Sequence, residues 1–357
     1  MTTDTPSAAT PDKPNFGKSQ IIATILTLLI LVMVFLALKN MGADYGAAWT
    51  AIQGMDLWEL GLIVLATIAL IIIYVTPYTA ALPGLAFKPA FYTRQTSFMI
   101  SNVIPGGGAW GLAVQYGMLS SYGYGPAPAS ATIGITSVWN TFVTLSLPVI
   151  ALIGLAITGQ SNGQLATVTL IAAVVVIAMV VVFALILRSE SFARKLGTWA
   201  DKAIDWAAGL IHKTVDVDAV AGLLHFRSSI VHVVRDRWLL ITLANVGQQL
   251  AQFSILYLAV VALQGSFNSP VTFIQVFAAF SFGRLATFIP VPPGGLGTTD
   301  AIITAALTTF GMDKNSALAA TMVWRAATYF PQVIIGVITM LLWRREQDKK
   351  TAATAGA

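Results

Sequence analysis

Phe288-Ile289-Pro290-Val291-Pro292-Pro293-Gly294-Gly295-Leu296-Gly297-Thr298-Thr299-Asp300 separates two apolar runs, 271–289 and 301–310. Its prolines remove backbone donors, and its glycines open conformations that no ordinary helix uses. The stretch therefore predicts that one helix stops and another starts, with the Asp300 carboxylate in the first turn of the second. In lipid, broken backbone is tolerated only where protein or a water-filled cavity covers it. Transporters use such breaks to build sites near the bilayer midplane. The expectation is a break that lines the working cavity of a membrane transporter.

The rest of the composition fits that setting. Hydrophobic residues make up 56% of the chain and charged residues 10%, where a soluble domain carries about 25% charged residues. Apolar runs of roughly 20 residues recur, each long enough to span a bilayer. The chain reads as an all-α, polytopic helical membrane protein. We expect about six full spans plus two broken or re-entrant helical hairpins. A net charge of +5 is better explained by cytoplasmic loops than by nucleic acid, so no nucleic-acid partner is expected. The absence of cysteine excludes disulfides, thiolate catalysis and cysteine-ligated metals.

Taken in order, residues 1–20 read as a disordered cytoplasmic tail and 21–343 as the transmembrane domain. The run 21–38 exceeds the roughly 7–15 residues of a secretory h-region, which favours an uncleaved first helix. Further spans are expected near 58–81, 129–157, 165–187, 238–262 and 316–343. In 91–124 two short apolar pieces flank Pro105-Gly106-Gly107-Gly108. At about 1.5 Å per residue, neither piece crosses about 30 Å of hydrocarbon. The segment 188–237 is the one long polar connection. Phe192, Leu196, Trp199, Ala203, Trp206 and Leu210 form a stripe along it. That stripe fits an interfacial amphipathic helix or a soluble helical hairpin packed on itself. Residues 344–357 read as a basic cytoplasmic tail.

Charge asymmetry orients the map. With the N-terminus inside and each broken segment returning to its own side, the inside holds Lys13, Lys18, Lys88, Arg94, the basic residues of 188–237 and those of the tail. The outside holds Lys39 and Lys314, while Arg284 and Arg325 stay at membrane depth. A single crossing by either broken segment would place a basic loop or the tail outside, against the positive-inside rule. Both termini are therefore expected in the cytoplasm. For 91–124 re-entrant half-helices fit best, whereas 271–311 could be re-entrant or two full spans.

The two breaks also resemble each other. Pro105-Gly106-Gly107-Gly108 is followed by an apolar run, Gly123 and Trp139-Asn140. Pro293-Gly294-Gly295 is followed by an apolar run, Gly311 and Trp324-Arg325. One opens from the inside and the other from the outside, the mark of an inverted-topology repeat. At these residues the chain resembles the lysylphosphatidylglycerol synthase transmembrane region family. The likeness rests on Pro290 through Asp300, then Leu307, Gly311 and Trp324-Arg325, with a less specific match at Ser101 through Gly108. It implies a flippase-like protein of the bacterial cell membrane, with membrane lipids as ligands and an envelope-biosynthesis enzyme as a possible partner. Asp300 stands where the family usually has Glu. Gln115 and Tyr116 stand where it often has Arg. With no soluble aminoacyl-transferase domain, the chain is not expected to make an aminoacyl lipid.

Arg284, Asp300 and Arg325 are the charges expected at membrane depth, where each costs about 2.5–3.5 kcal/mol on insertion scales. A guanidinium can fork onto phosphate oxygens, and the N–H groups after the break at Pro293, Gly294, Gly295 and Gly297 can add donors. Pro105, Gly106 and Gly107 would do the same in the first half. Asp300 would be a counter-ion to an arginine or a site for a coupling ion. A structural salt bridge is the alternative. Asn245, Gln248, Gln249 and Gln252 fall on one helical face and must meet protein or water, either lining a cavity or bonding between helices. The histidines His212, His225 and His232 are spaced poorly for a metal. No catalytic motif, phosphate loop or cofactor site is evident, so no enzyme activity, cofactor or metal is expected. The function expected is transfer of an anionic or lipid-linked headgroup between leaflets. The alternative is a non-catalytic partner of a lipid synthase or glycosyltransferase.

Overall fold

The computed structural model describes residues 44–104, 107–160, 163–210, 218–264, 271–288 and 295–355. The expected first span, 21–38, lies outside the described residues, as do Pro105, Gly106, Pro293 and Gly294. Among the described residues the chain is helical throughout, with no strand. The order is α1 (Tyr45–Gln53), α2 (Leu57–Ile73), α3 (Thr76–Ala81), α4 (Phe87–Val103), α5 (Gly107–Ser121) and α6 (Pro126–Ile157). Then come α7 (Gly163–Arg188), α8 (Glu190–Leu210), α9 (Ala219–Leu263), α10 (Phe273–Leu285), α11 (Thr298–Thr309) and α12 (Lys314–Ala355).

Four stretches are long and apolar enough to cross a bilayer: Leu57–Ala81, Pro126–Ile157, Ile230–Leu263 and Lys314–Lys350. A fifth results if Val174–Arg188 and Glu190–Asp205, bent by 118°, count together. The first four coincide with spans expected from the sequence. Leu62, Val64, Leu65, Ile68 and Ile72 of α2 are exposed, as an apolar face turned to lipid should be. In Ile230–Leu263, 56% of the apolar window is buried, more than in the other three, which makes α9 the central post.

The two broken segments each fold into a hairpin, α4–α5 and α10–α11. At 13 and 12 residues, α10 and α11 are each about 18–20 Å long, too short to cross hydrocarbon alone. That argues against two full spans in 271–311. The first hairpin is longer than expected, with α4 of 17 residues and α5 of 15. Both hairpins end in the same cap. Gly123 and Gly311 take φ of 89° and 102°. The next N–H reaches back five residues, Tyr124 to the Leu119 carbonyl and Met312 to that of Leu307, each at 3.0 Å. Such a cap satisfies the last carbonyls and needs a residue without Cβ.

Each hairpin leans on the helix that follows the other, α4 on α12 and α10 on α6. Lipid tails are as apolar as leucine, so small residues and interhelical hydrogen bonds must hold such contacts. Thr96 and Thr339 share a hydroxyl bond of 2.9 Å across the α4–α12 contact. Ala278 and Ala279 of α10 and Ala317, Ala319 and Ala320 of α12 are fully buried. Rings of Phe253, Phe277, Phe280 and Trp324 fill the core between α9, α10 and α12, with Phe253 and Phe277 centroids 5.1 Å apart.

The polar connection differs from its outline in sequence. Helix α9 begins at Ala219, so the last part of the polar connection and the following span form one continuous helix. Asp201 of α8 accepts the Ala219 N–H at 2.7 Å, and Gly197 sits against Val220, so α8 packs on the start of α9 as a hairpin. Trp199 stays 73% exposed on the other side of α8. The final helix likewise runs on beyond the expected boundary at 343. Its extension meets the first hairpin through an ion pair of Lys88 with Glu346.

Candidate functional site

A cavity of about 670 Å³ opens where α4–α5, α6, α9 and α12 meet the end of α10. Its wall is mostly polar. Ser101, Asn102 and Gln115 come from the first hairpin, Thr136, Ser137 and Asn140 from α6, and Thr328 and Gln332 from α12. Three guanidiniums line it, those of Arg94, Arg284 and Arg325. No carboxylate does so among the described residues.

Each arginine is held differently. Arg325, on α12, donates from Nε to Asp300 Oδ1 at 2.8 Å, with both side chains less than one-fifth exposed. The other Asp300 oxygen accepts the Gly297 N–H at 2.8 Å. Asp300 therefore caps the first turn of α11 while pairing with α12. This works because Gly297, at φ 80°, turns its N–H toward the third helical residue. Arg284 closes α10, where its charge complements the helix C-terminus. Its Nε is buried with no hydrogen-bond partner. Arg94 sits on the rings of Tyr74 and Tyr78, 4.4 and 4.7 Å from their centroids. The ring faces attract its charge, yet its Nε is also buried without a hydrogen-bond partner.

The structure corrects the placing of Arg94. The sequence reading counted it among the charges on the inside of the membrane. Instead it lies on α4 and faces the cavity. The remaining inside charges still outnumber Lys39 and Lys314, so the topology argument survives the change.

The amide face of α9 divides. Asn245, Gln248 and Gln252 line the cavity. Gln249 turns to α6 and donates to Asn140 Oδ1 at 3.2 Å and Thr144 Oγ1 at 3.1 Å. Of the break residues, Gly107 and Gly108 line the cavity. A Cβ on Gly107 would meet the Ile100 carbonyl at 2.3 Å, so only glycine admits this turn. The Gly295 carbonyl lies 3.4 Å from Arg325 Nη2. Pro105, Gly106, Pro293 and Gly294 cannot be placed against the cavity, being outside the described residues.

Asp300 and Arg325 also border a second, apolar groove of about 620 Å³, lined by Tyr45, Trp49, Ile52, Ile63, Leu318, Met322 and Phe330. Arg325 lines both spaces. The ion pair is thus a partition with polar wall on one side and apolar wall on the other. Besides Arg94, the sequence reading missed Tyr74, Tyr78 and Ser137. The 4-residue spacing of the two tyrosines at the end of α2–α3 was the available signal.

The described chain is therefore a multi-pass helical membrane protein whose polar, cationic cavity lies between two broken hairpins. The lysylphosphatidylglycerol synthase TM region matches residues 20–336, and the chain belongs to that family. It is a membrane family linked to lipid or envelope biogenesis. A UPF0104 membrane protein of Methanocaldococcus jannaschii is 32% identical over 85 residues. That match covers 24% of this chain and 25% of the relative.

Proposed function

We propose that this chain moves the phosphate-bearing headgroup of an anionic or lipid-linked molecule between leaflets. The headgroup travels through the polar cavity while the tails stay in the lipid or in the apolar groove beyond Asp300 and Arg325. The carrying observation is the convergence of Arg94, Arg284 and Arg325 on one polar cavity with no facing carboxylate among the described residues. Arginine forks match phosphate oxygens with two parallel donors each. Intramembrane charges lining a wet cavity ordinarily mark a substrate path.

Six spans with two re-entrant hairpins in inverted orientation give this path a way to face each side in turn. The matching glycine caps of α5 and α11, and the exchange of supporting helices between hairpins, support that arrangement. The charge count supports cytoplasmic termini in a bacterial inner membrane. The chain itself catalyses no reaction in this reading, and it needs no cofactor or metal. A second reading, a membrane partner of an envelope-biosynthesis enzyme, is favoured by the exposed Trp199 on the α8–α9 hairpin, a surface for docking to lipid or protein.

The test is leaflet exchange of labelled phospholipids in liposomes containing the full chain. Exchange above the protein-free rate is expected, and Asp300→Asn and Arg325→Gln should each return it to that rate. Unchanged exchange in both variants would remove the site from the path.

A further inference from the structure

The three guanidiniums are not equivalent, and their difference specifies the ligand more narrowly than a negative charge does. Arg325 is neutralised by Asp300 at 2.8 Å. Neither Arg94 nor Arg284 forms an ion pair within 4.0 Å among the described residues. The Nε of each is buried and lacks a hydrogen-bond partner. Tyr74 ties the two together. Its ring stacks on Arg94, and it lines the same cavity as Arg284. The cavity therefore carries an excess of two positive charges, one from the first hairpin and one from the second.

We propose that the cavity is built for a doubly charged phosphate, a phosphomonoester or diphosphate headgroup, in preference to the singly charged phosphodiester of ordinary phospholipids. This rests on the reading of the cavity as a lipid headgroup path. A terminal phosphate offers three free oxygens and up to two negative charges. Two guanidiniums from opposite hairpins can fork onto it together, each with two parallel N–H donors. A phosphodiester offers two free oxygens and one charge, and leaves one of the two guanidiniums without an anionic partner. A headgroup with an added amine would be repelled further. The nearby hydroxyls of Ser101, Thr136 and Ser137 and the amides of Asn140 and Gln248 suit a sugar or water shell around the phosphate.

The lining holds no histidine and no carboxylate among the described residues, and Asp300 faces the groove behind Arg325. A change of affinity between pH 8 and pH 5 therefore reports the ligand's own second proton, lost near a pKa of about 6. Binding to the purified full chain can be followed by native mass spectrometry with short-chain phosphatidic acid, phosphatidylglycerol and inorganic phosphate. At pH 8, phosphatidic acid should bind about tenfold or more tightly than phosphatidylglycerol, in line with one added charge-assisted contact. The preference should shrink toward parity at pH 5. Arg94→Gln, which leaves the Asp300–Arg325 pair in place, should remove most of the preference for phosphatidic acid over phosphatidylglycerol.

Equal affinity for both lipids at pH 8, or a preference unchanged at pH 5, overturns the proposal and leaves the headgroup path standing. Binding of neither lipid overturns the headgroup path itself. Inorganic phosphate that displaces phosphatidic acid at equal concentration would assign the dianion site to a soluble solute and overturn the lipid assignment. The pH series needs only the native chain, so it decides the question even if Arg94→Gln fails to fold.

Discussion

In the first hairpin, α4 and α5 meet through glycine against backbone and through neutral hydrogen bonds. Gly107 lies under the Ile100 carbonyl, and Gln115 donates to Ser97 Oγ at 2.7 Å. In the second, α10 and α11 meet through Gly283 against the Ile303 side chain, and the hairpin is joined to α12 by the Asp300–Arg325 ion pair. The caps that end the two hairpins are the same. Two otherwise alike units therefore divide the work. The first is a close-packed neutral wall with its cation clamped between tyrosines. The second carries a charge pair, and on the function proposed above an incoming phosphate would offer Arg325 an alternative to Asp300.

The largest effect that separates them is on folding. Gly107→Val should abolish the folded peak in size-exclusion chromatography, since backbone cannot yield to a Cβ at 2.3 Å. Gly283→Ala meets the side chain of the buried Ile303 and not backbone at its closest approach, so it should lower the melting midpoint but still give a folded protein. Equal damage at both sites would erase the distinction between the rigid and the adjustable hairpin.

Next in size is the ion pair. A double-mutant cycle with Asp300→Asn and Arg325→Gln should return a coupling of about 1–3 kcal/mol. That is below the roughly 3–5 kcal/mol for breaking a fully buried pair, because both side chains keep some exposure. No coupling would mean that the two residues are held by their helices alone.

On α9, Gln249→Leu loses two interhelical bonds to α6 and should cost about 1 kcal/mol of stability with lipid exchange retained. Gln248→Leu should leave stability nearly unchanged and slow exchange. An effect on stability of similar size to that of Gln249→Leu is expected at the paired tryptophans. Trp139 Nε1 bonds Thr242 Oγ1 at 2.9 Å, and Trp324 Nε1 bonds the Gln252 carbonyl at 3.0 Å, so both brace α9. Trp139→Phe should cost about 0.5–1.5 kcal/mol, the net worth of one hydrogen bond. Both rings also pack on phenylalanines, Trp139 on Phe183 and Trp324 on Phe280, and Trp324→Phe should cost more because its ring also lies under Arg325.

Much of this was legible in the sequence. Proline and glycine marked both breaks, Gly123 and Gly311 stood out as matching landmarks though not as caps, and the rarity of charge in apolar runs singled out Asp300, Arg284 and Arg325. Arg94 was not legible, because a lone arginine six residues from Lys88 reads as a loop charge. Only the fold brings Tyr74 and Tyr78 across to it. Gln248 and Gln249 could not be told apart either. They are neighbours on one helical face, and the position of α6 decides which is glue and which is lining. The length of α9 was hidden because polar residues on a helix that leaves the bilayer look like a loop.

The claim on which the account turns is that water reaches the space between the hairpins. The chain has no cysteine, so single cysteines report cleanly. Ser137→Cys, in the cavity wall, should react with a membrane-impermeant maleimide in intact membranes, whereas Val64→Cys, on the outward face of α2, should not. Ser137→Cys that stays unlabelled from both sides of the membrane in a folded, denaturation-reactive protein would contradict the account.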